Sequence, residues 1–207
     1  MNDFSVKPTL TGEHVVLRPV TEDDAAVIAE ILSDPEVLTF TGTPEGAPPP
    51  SPASLRAWYG SRGERTDRLD LALVDRASGE TVGELVLNEW DEPNRSCNFR
   101  TLVGPRGRDR GLGTEAIRLL LAHGFGELGL NRISLGVFAF NPRAIRVYEK
   151  VGFVREGVER EALRHRGRWV DSVWMSVLAR EWAVHRGHPE RAAGAARGSD
   201  PTGIHTP

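Results

Sequence analysis

Hydrophobic residues recur at two different periods along this chain, and the switch between them lays out its elements. Alternation of apolar and polar positions predicts strands at Leu69 to Val74, Val82 to Trp90 and Asn98 to Val103, the first two joined through the turn Ala77-Ser78-Gly79-Glu80. Glu13 to Pro19 reads as an earlier strand and Arg132 to Phe138 as a later one; Phe153 to Leu163 and Trp169 to Leu178 form a hairpin around Arg166-Gly167. Helical spacing links Ala26, Val27, Ile28, Ile31 and Leu32, with Thr21 as the expected N-cap, Glu22, Asp23 and Asp24 in the first turn, and Asp34-Pro35 as the stop. Ser51 and Pro52 open a second helix carrying Leu55, Trp58 and Tyr59. The longest helix is expected from Gly111 to Leu128, with Ile117, Leu120, Leu121, Gly124 and Leu128 on one stripe, and a shorter one from Asn141 to Val151. Thr39 to Pro52, rich in Pro, Gly and Thr, reads as a loop.

This order of elements is α+β: consecutive strands surround a strand–helix–strand unit, which should be a parallel, right-handed crossover. At 207 residues with 39% hydrophobic and 27% charged positions, one domain over residues 1–182 is expected, followed by an Ala-, Gly-, Arg- and Pro-rich flexible tail over 183–207. No apolar run is long enough for a membrane-spanning helix, and the first residues lack the basic-then-apolar pattern of a secretory signal. Net charge is −3, so no general attraction to nucleic acid or anionic membrane follows. Cys97 is the only cysteine and fits a reducing, cytoplasmic setting. His185-x-x-His188 has helix-like spacing but no third ligand, so no metal is expected.

Two segments carry chemistry. In Val103-Gly-Pro-Arg-Gly-Arg-Asp-Arg-Gly-Leu-Gly-Thr-Glu115, a strand runs through a glycine-rich loop into the longest helix. The first N–H groups of a helix lack internal acceptors and carry partial positive charge, so an anion docks there. Gly111 and Gly113 permit close approach of a pyrophosphate, and Arg106, Arg108 and Arg110 add positive charge. Gly111 to Ala116 also fits the dinucleotide pattern G-x-G-x-x-A, but the following strand ends Val137-Phe138-Ala139-Phe140, without the carboxylate that would hold a ribose. A P-loop would need Gly-Lys-Ser/Thr, which is missing. The second segment runs from Asn141 to Phe153; Asn141 and Pro142 suit a helix start and Gly152 its end, with Ala144, Ile145, Tyr148 and Val151 on one face.

Together these segments resemble the GNAT N-acetyltransferase superfamily. Arg108-x-x-Gly111-x-Gly113 matches its Gln/Arg-x-x-Gly-x-Gly/Ala motif; Asn141, Ala144, Tyr148, Gly152 and Phe153 match Asn-x-x-Ala-x-x-x-Tyr-x-x-x-Gly-Phe. Leu17-Arg18-Pro19 near the start, and Asp171 through Glu181-Trp182 near the end, are similar to the branch containing ribosomal-protein N-terminal and spermidine acetyltransferases. Asp109 departs from that branch, which often has Gly there. The resemblance implies a mixed, largely antiparallel sheet of about seven strands flanked by helices, with a splayed parallel pair where CoA binds.

It further implies an enzyme that moves acetyl from acetyl-CoA to a primary amine by direct attack. Backbone amides of Arg108, Asp109, Arg110, Gly111, Leu112, Gly113 and Thr114 would hold the pyrophosphate, with Arg106, Asn141, Arg143 and Ala144 also on the cofactor. The strand Leu102-Val103-Gly104 would bond the pantetheine arm, and Tyr148 would protonate the departing thiolate. Glu84 and Glu89 compete as acceptors of the amine's proton, and strand alternation puts them on opposite faces. Trp58, Trp90 and Asn98 are expected on the acceptor wall, with Asp91 nearby in sequence. A protein N-terminus, an aminoglycoside-like compound or a small metabolite amine all suit the reading, and a longer acyl donor such as succinyl is left open. Homodimerisation is implied by analogy only. The alternatives are a non-catalytic CoA-sensing or interaction module and, more remotely, a nucleic-acid role for the arginine loop.

Overall fold

The computed structural model describes residues 3–44 and 46–185. Eight strands form one sheet: β1 (Leu10–Thr11), β2 (Val15–Pro19), β3 (Leu69–Asp75), β4 (Thr81–Asp91), β5 (Ser96–Val103), β6 (Arg132–Phe138), β7 (Val154–His165) and β8 (Arg168–Leu178), in the order β1-β2-β3-β4-β5-β6-β8-β7. The two-residue β1, too short to carry a period, raises the expected seven strands to eight. All neighbours are antiparallel except β5 and β6, joined by the long helix α4 (Leu112–Gly126).

The remaining helices are α1 (Asp24–Leu32), α2 (Pro35–Phe40), α3 (Pro52–Gly60), α5 (Pro142–Lys150) and α6 (Ala179–His185). One sheet face packs on α4, α5 and α6 through Leu85, Leu87, Phe99, Ile117, Leu120, Leu121, Ile133, Ile145 and Trp182, all buried. The other packs on α1, α2 and α3 through Ile28, Ile31, Val37, Leu55, Tyr59, Ala72 and Leu102. The two layers are what the apolar stripes of the helices require.

Several local expectations are corrected. Thr21 does not cap α1: its own N–H donates to Asp24 Oδ2 at 2.8 Å. Asp24 does stand in the first turn of α1, where it is buried and held by Arg18 at 2.7 and 2.8 Å and by Thr81 at 3.1 Å. Asp34-Pro35 stops α1 and also starts α2, because the Asp34 carboxylate accepts the Val37 N–H at 3.0 Å and Pro suits the first turn. The expected loop therefore begins after Thr41. Ser51 caps α3 and Asn141 caps α5 by the expected side-chain bonds, to Ser54 N at 3.1 Å and Ala144 N at 3.0 Å. α6 carries helix through His185, past the boundary expected at 182; the rest of the expected tail, His188 included, lies outside the described residues.

Candidate active site

β5 and β6 pair over only three residues, Ser96 with Arg132, Cys97 with Ile133 and Asn98 with Ser134. Beyond these they part: β5 stays with β4 as far as Val103, and β6 stays with β8 as far as Phe138. The inward backbone edges past the split lack a strand partner. A cavity of about 630 Å³ fills the gap, bounded by the loop before α4, by α5, and by α2 laid across the front.

At one end lies the start of α4. Gly111 is its N-cap with φ +79°, a left-handed conformation that favours glycine, and no side chain caps the helix. The Leu112, Gly113 and Thr114 N–H groups precede the first helical bond, Glu115 N to Gly111 O at 3.1 Å, and so stay free for an anion. Arg108, Asp109, Gly111, Gly113 and Thr114 line the cavity here, and the Leu112 side chain is buried in the core. Asp109 also takes a left-handed φ, +57°, a conformation that favours glycine.

The loop arginines are committed elsewhere. Arg106 pairs with Glu30 and Glu80, and Arg110 with Asp75 at 2.7 Å, both outside the cavity lining. Arg108 spans from the Val103 carbonyl (3.2 Å) to Asp34 (2.8 Å) and Glu36 (2.7 Å), fixing α2 to the end of β5. Glu36 also takes Arg143 of α5, so one carboxylate ties three segments together across the cavity mouth. Gly104 faces away: its N–H donates to Val82 O and its Cα packs near Ile31. Leu102, Val103, Asn141, Arg143, Ala144 and Tyr148 all line the cavity.

Tyr148 is buried, its ring edge-on to Phe99 with centroids 6.2 Å apart, and burial pushes its hydroxyl up to about 12. The group therefore keeps its proton at neutral pH and is available as a hydrogen-bond donor. On the opposite wall, Glu84 of β4 accepts a 2.8 Å hydrogen bond from Tyr59 Oη of α3. Burial raises the Glu84 carboxyl, while the Tyr59 bond and the charges of Arg100 and Arg68 pull it back. Burial and the Glu84 charge push the Tyr59 phenol upward, so Tyr59 stays a donor.

Strand pairing shifts register between Asn88 and Asp91, Glu89 itself has φ +54°, and at this bulge Glu89 lines the cavity that Glu84 also lines. Asn98 lines the cavity and donates to Asn88 Oδ1 at 3.1 Å. Trp90 lies outside, edge-on to Phe4 with centroids 5.5 Å apart; Trp58 is exposed under the Arg62 guanidinium, 3.8 Å from its ring; Asp91 binds the turn at Asn94. The pattern gave no sign of Val37, Phe40, Arg100, Gly136, Phe138, Ser172 and Trp174, which complete the wall. Even spacing along β6 and β8 would have grouped the last four, had the pairing of Gly136 with Trp174 and Phe138 with Ser172 been known.

Free amides at the α4 start, an open strand edge and a deep cleft between them suit a long molecule with a phosphate at one end. Residues 14–154 match the acetyltransferase (GNAT) domain family. The chain belongs to that family and is an acetyl-CoA-dependent N-acetyltransferase. It is 30% identical over 165 residues to an L-amino acid N-acetyltransferase, AaaT, of Escherichia coli, covering 78% of this chain and 96% of that one. It is 27% identical over 123 residues to the spermidine N(1)-acetyltransferase of the same species, covering 59% and 66%. In fold it is similar to the Vibrio cholerae spermidine N-acetyltransferase solved with CoA and spermine, with a TM-score of 0.75 at 24% identity over 83% of this chain and 99% of that one. Among the described residues no helix is long and apolar enough to cross a membrane, and no cluster of His, Cys, Asp or Glu could hold a metal.

Proposed function

We propose that the acceptor's primary amine enters from the Glu84 side of the cavity, loses its proton to Glu84, and attacks opposite Tyr148. The single observation that carries this is spatial: free α4 amides, a protonated Tyr148 and the part-buried Glu84 carboxylate border one cavity. Bound acetyl-CoA supplies the acetyl thioester, its phosphates taken by the Leu112, Gly113 and Thr114 N–H groups and its pantetheine by the edge of Leu102 and Val103. Glu84 is favoured over Glu89 as proton acceptor because its raised carboxyl is fixed by Tyr59, whereas Glu89 stands exposed on a bulge. Tyr148 donates its proton to the departing sulfur, which suits a hydroxyl held in the neutral form.

The attacking nitrogen must be neutral, which is easier for an α-amine (pKa about 8) than for an alkyl amine (about 10.4). The α-amine asks least of a carboxylate proton acceptor, so small α-amines come first, ahead of polyamines. The reducing cytoplasm is the compartment consistent with the single buried thiol of Cys97. A homodimer is supported by the exposed Val154, Val158 and Trp169 on the β7–β8 hairpin, and sedimentation checks it.

Thiol release from acetyl-CoA against a panel of α-amino acids, short peptides, aminoglycosides and polyamines tests this reading. Amine-dependent release that falls about hundredfold or more in Tyr148→Phe supports it. Tight acetyl-CoA binding with no release for any amine favours a sensing module instead.

A further inference from the structure

Three arginines line the cavity, and two are spoken for: Arg108 by Asp34 and Glu36, Arg143 by Glu36. Arg100 of β5 is the third, and its guanidinium makes no hydrogen bond or ion pair with any described residue. Arg100 is exposed on the cavity wall, so its guanidinium is accessible to an anion bound there. The register fixes where it sits. Arg100 lies opposite Val86, with Asn98 two residues along its own strand and Glu84 two residues along β4, all on the cavity face. Its charge acts on Glu84, lowering that carboxyl against the effect of burial. Across the gap, Gly136 of β6 pairs with Trp174 of β8, and both line the same cavity.

We infer that Arg100 is a carboxylate receptor in the acceptor half of the cavity, and that the acceptor is a primary amine bearing a carboxylate, of the α-amino acid class. This rests on the acyl-transfer reading above. The planar fork of a guanidinium matches a carboxylate bidentately, and Glu84 and Glu89 complement the ammonium end of the same small molecule. A polyamine brings only positive charge and meets Arg100 with repulsion, which selects against it. The same receptor chemistry would serve a carboxylate on the acyl chain of a donor such as succinyl-CoA, so both sources enter the test.

Initial rates are measured for wild type, Arg100→Gln and Arg100→Lys, with α-amino acids and their carboxamides as acceptors, and acetyl-CoA binding is followed separately by calorimetry. The expected result is a KM for acids at least about tenfold below that for amides in wild type, an advantage erased in Arg100→Gln and partly restored in Arg100→Lys. Values of kcat should change much less, and acetyl-CoA affinity should not change. Arg100-dependence seen only with succinyl-CoA and an uncharged amine keeps the receptor but overturns the acceptor class. Equal use of acid and amide by wild type, with rates that Arg100→Gln leaves unchanged for either donor, overturns the receptor itself. If no thiol is released at all, the proposed activity falls independently. Calorimetric binding of amino acid against amide to the CoA-loaded protein then still decides on Arg100.

Discussion

Tyr59 of α3 donates a 2.8 Å hydrogen bond to Glu84 of β4, joining the helical layer to the floor of the cavity. Burial raises the Glu84 carboxyl, and the Tyr59 bond lowers it by favouring the charged form. Removing the donor leaves burial less opposed, so in Tyr59→Phe the Glu84 pKa rises. If Glu84 must be ionised to accept a proton, the acid limb of the kcat/KM profile moves to higher pH in that variant. Glu84→Gln should abolish the limb, and acetyl-CoA affinity should hold in both. A limb that stays in place in Tyr59→Phe assigns the base to Glu89 or to solvent.

Asp109 places a carboxylate, 79% exposed, at the α4 end of the cavity in a left-handed conformation. Asn tolerates that conformation and carries no charge. Asp109→Asn should tighten acetyl-CoA binding by about two- to fivefold at low salt, with the gain shrinking at about 0.5 M salt as screening shortens. Thermal stability should be unchanged within about 0.5 kcal/mol.

Asp24 anchors the start of α1 through Arg18, Thr81 and the Thr21 N–H. Asp24→Ala leaves those donors without their acceptor and should cost about 2–4 kcal/mol, measured by denaturant unfolding. Burial opposes ionisation of Asp24, but the Arg18, Thr21 and Thr81 bonds outweigh it and hold the carboxyl below its usual range. Its contribution is thus present above the ordinary carboxylate pKa and is lost as pH falls through the lowered one. The gap between wild type and variant should close on acidification.

Glu156 of β7 takes Arg132 at 2.7 Å and Ser176 at 2.7 Å, and these partners hold its carboxyl at about 2. The pair is part-exposed, so its worth is limited to about 1 kcal/mol by solvent screening. Glu156→Gln should lose that amount at neutral pH. A depressed carboxyl contributes above its unfolded value and loses the contribution downward, so wild type and variant should converge between about pH 4 and 2. Salt should narrow the gap at neutral pH.

Much of the phosphate end was legible in the chain, because its determinants are local. A left-handed Gly111, free amides at a helix start, the Asn141 cap and the Pro142 turn are each decided within a few residues. The strands from Leu69 to Val103 were legible for the same reason, since alternation of side chains needs no knowledge of what lies opposite. The helix α2 was missed because its start is shared with the stop signal of α1 at Asp34-Pro35.

The rest came only with long-range pairing. A one-residue bulge near Asn88 brings Glu89 to the cavity that Glu84 lines, and no local signal marks it. The loop arginines looked alike in sequence, yet their ionic partners come from Glu30, Asp34, Glu36, Asp75 and Glu80, distant in the chain. Trp58 and Trp90, adjacent in order to acceptor-side elements, turn outward and into the core. The sequence by itself determined which segments become helix and strand and that one helix start can hold a phosphate, since those are properties of neighbours. Tertiary structure decided which charges are neutralised and which, like Arg100, are left to meet a ligand, because ion pairing depends on distances that folding alone sets.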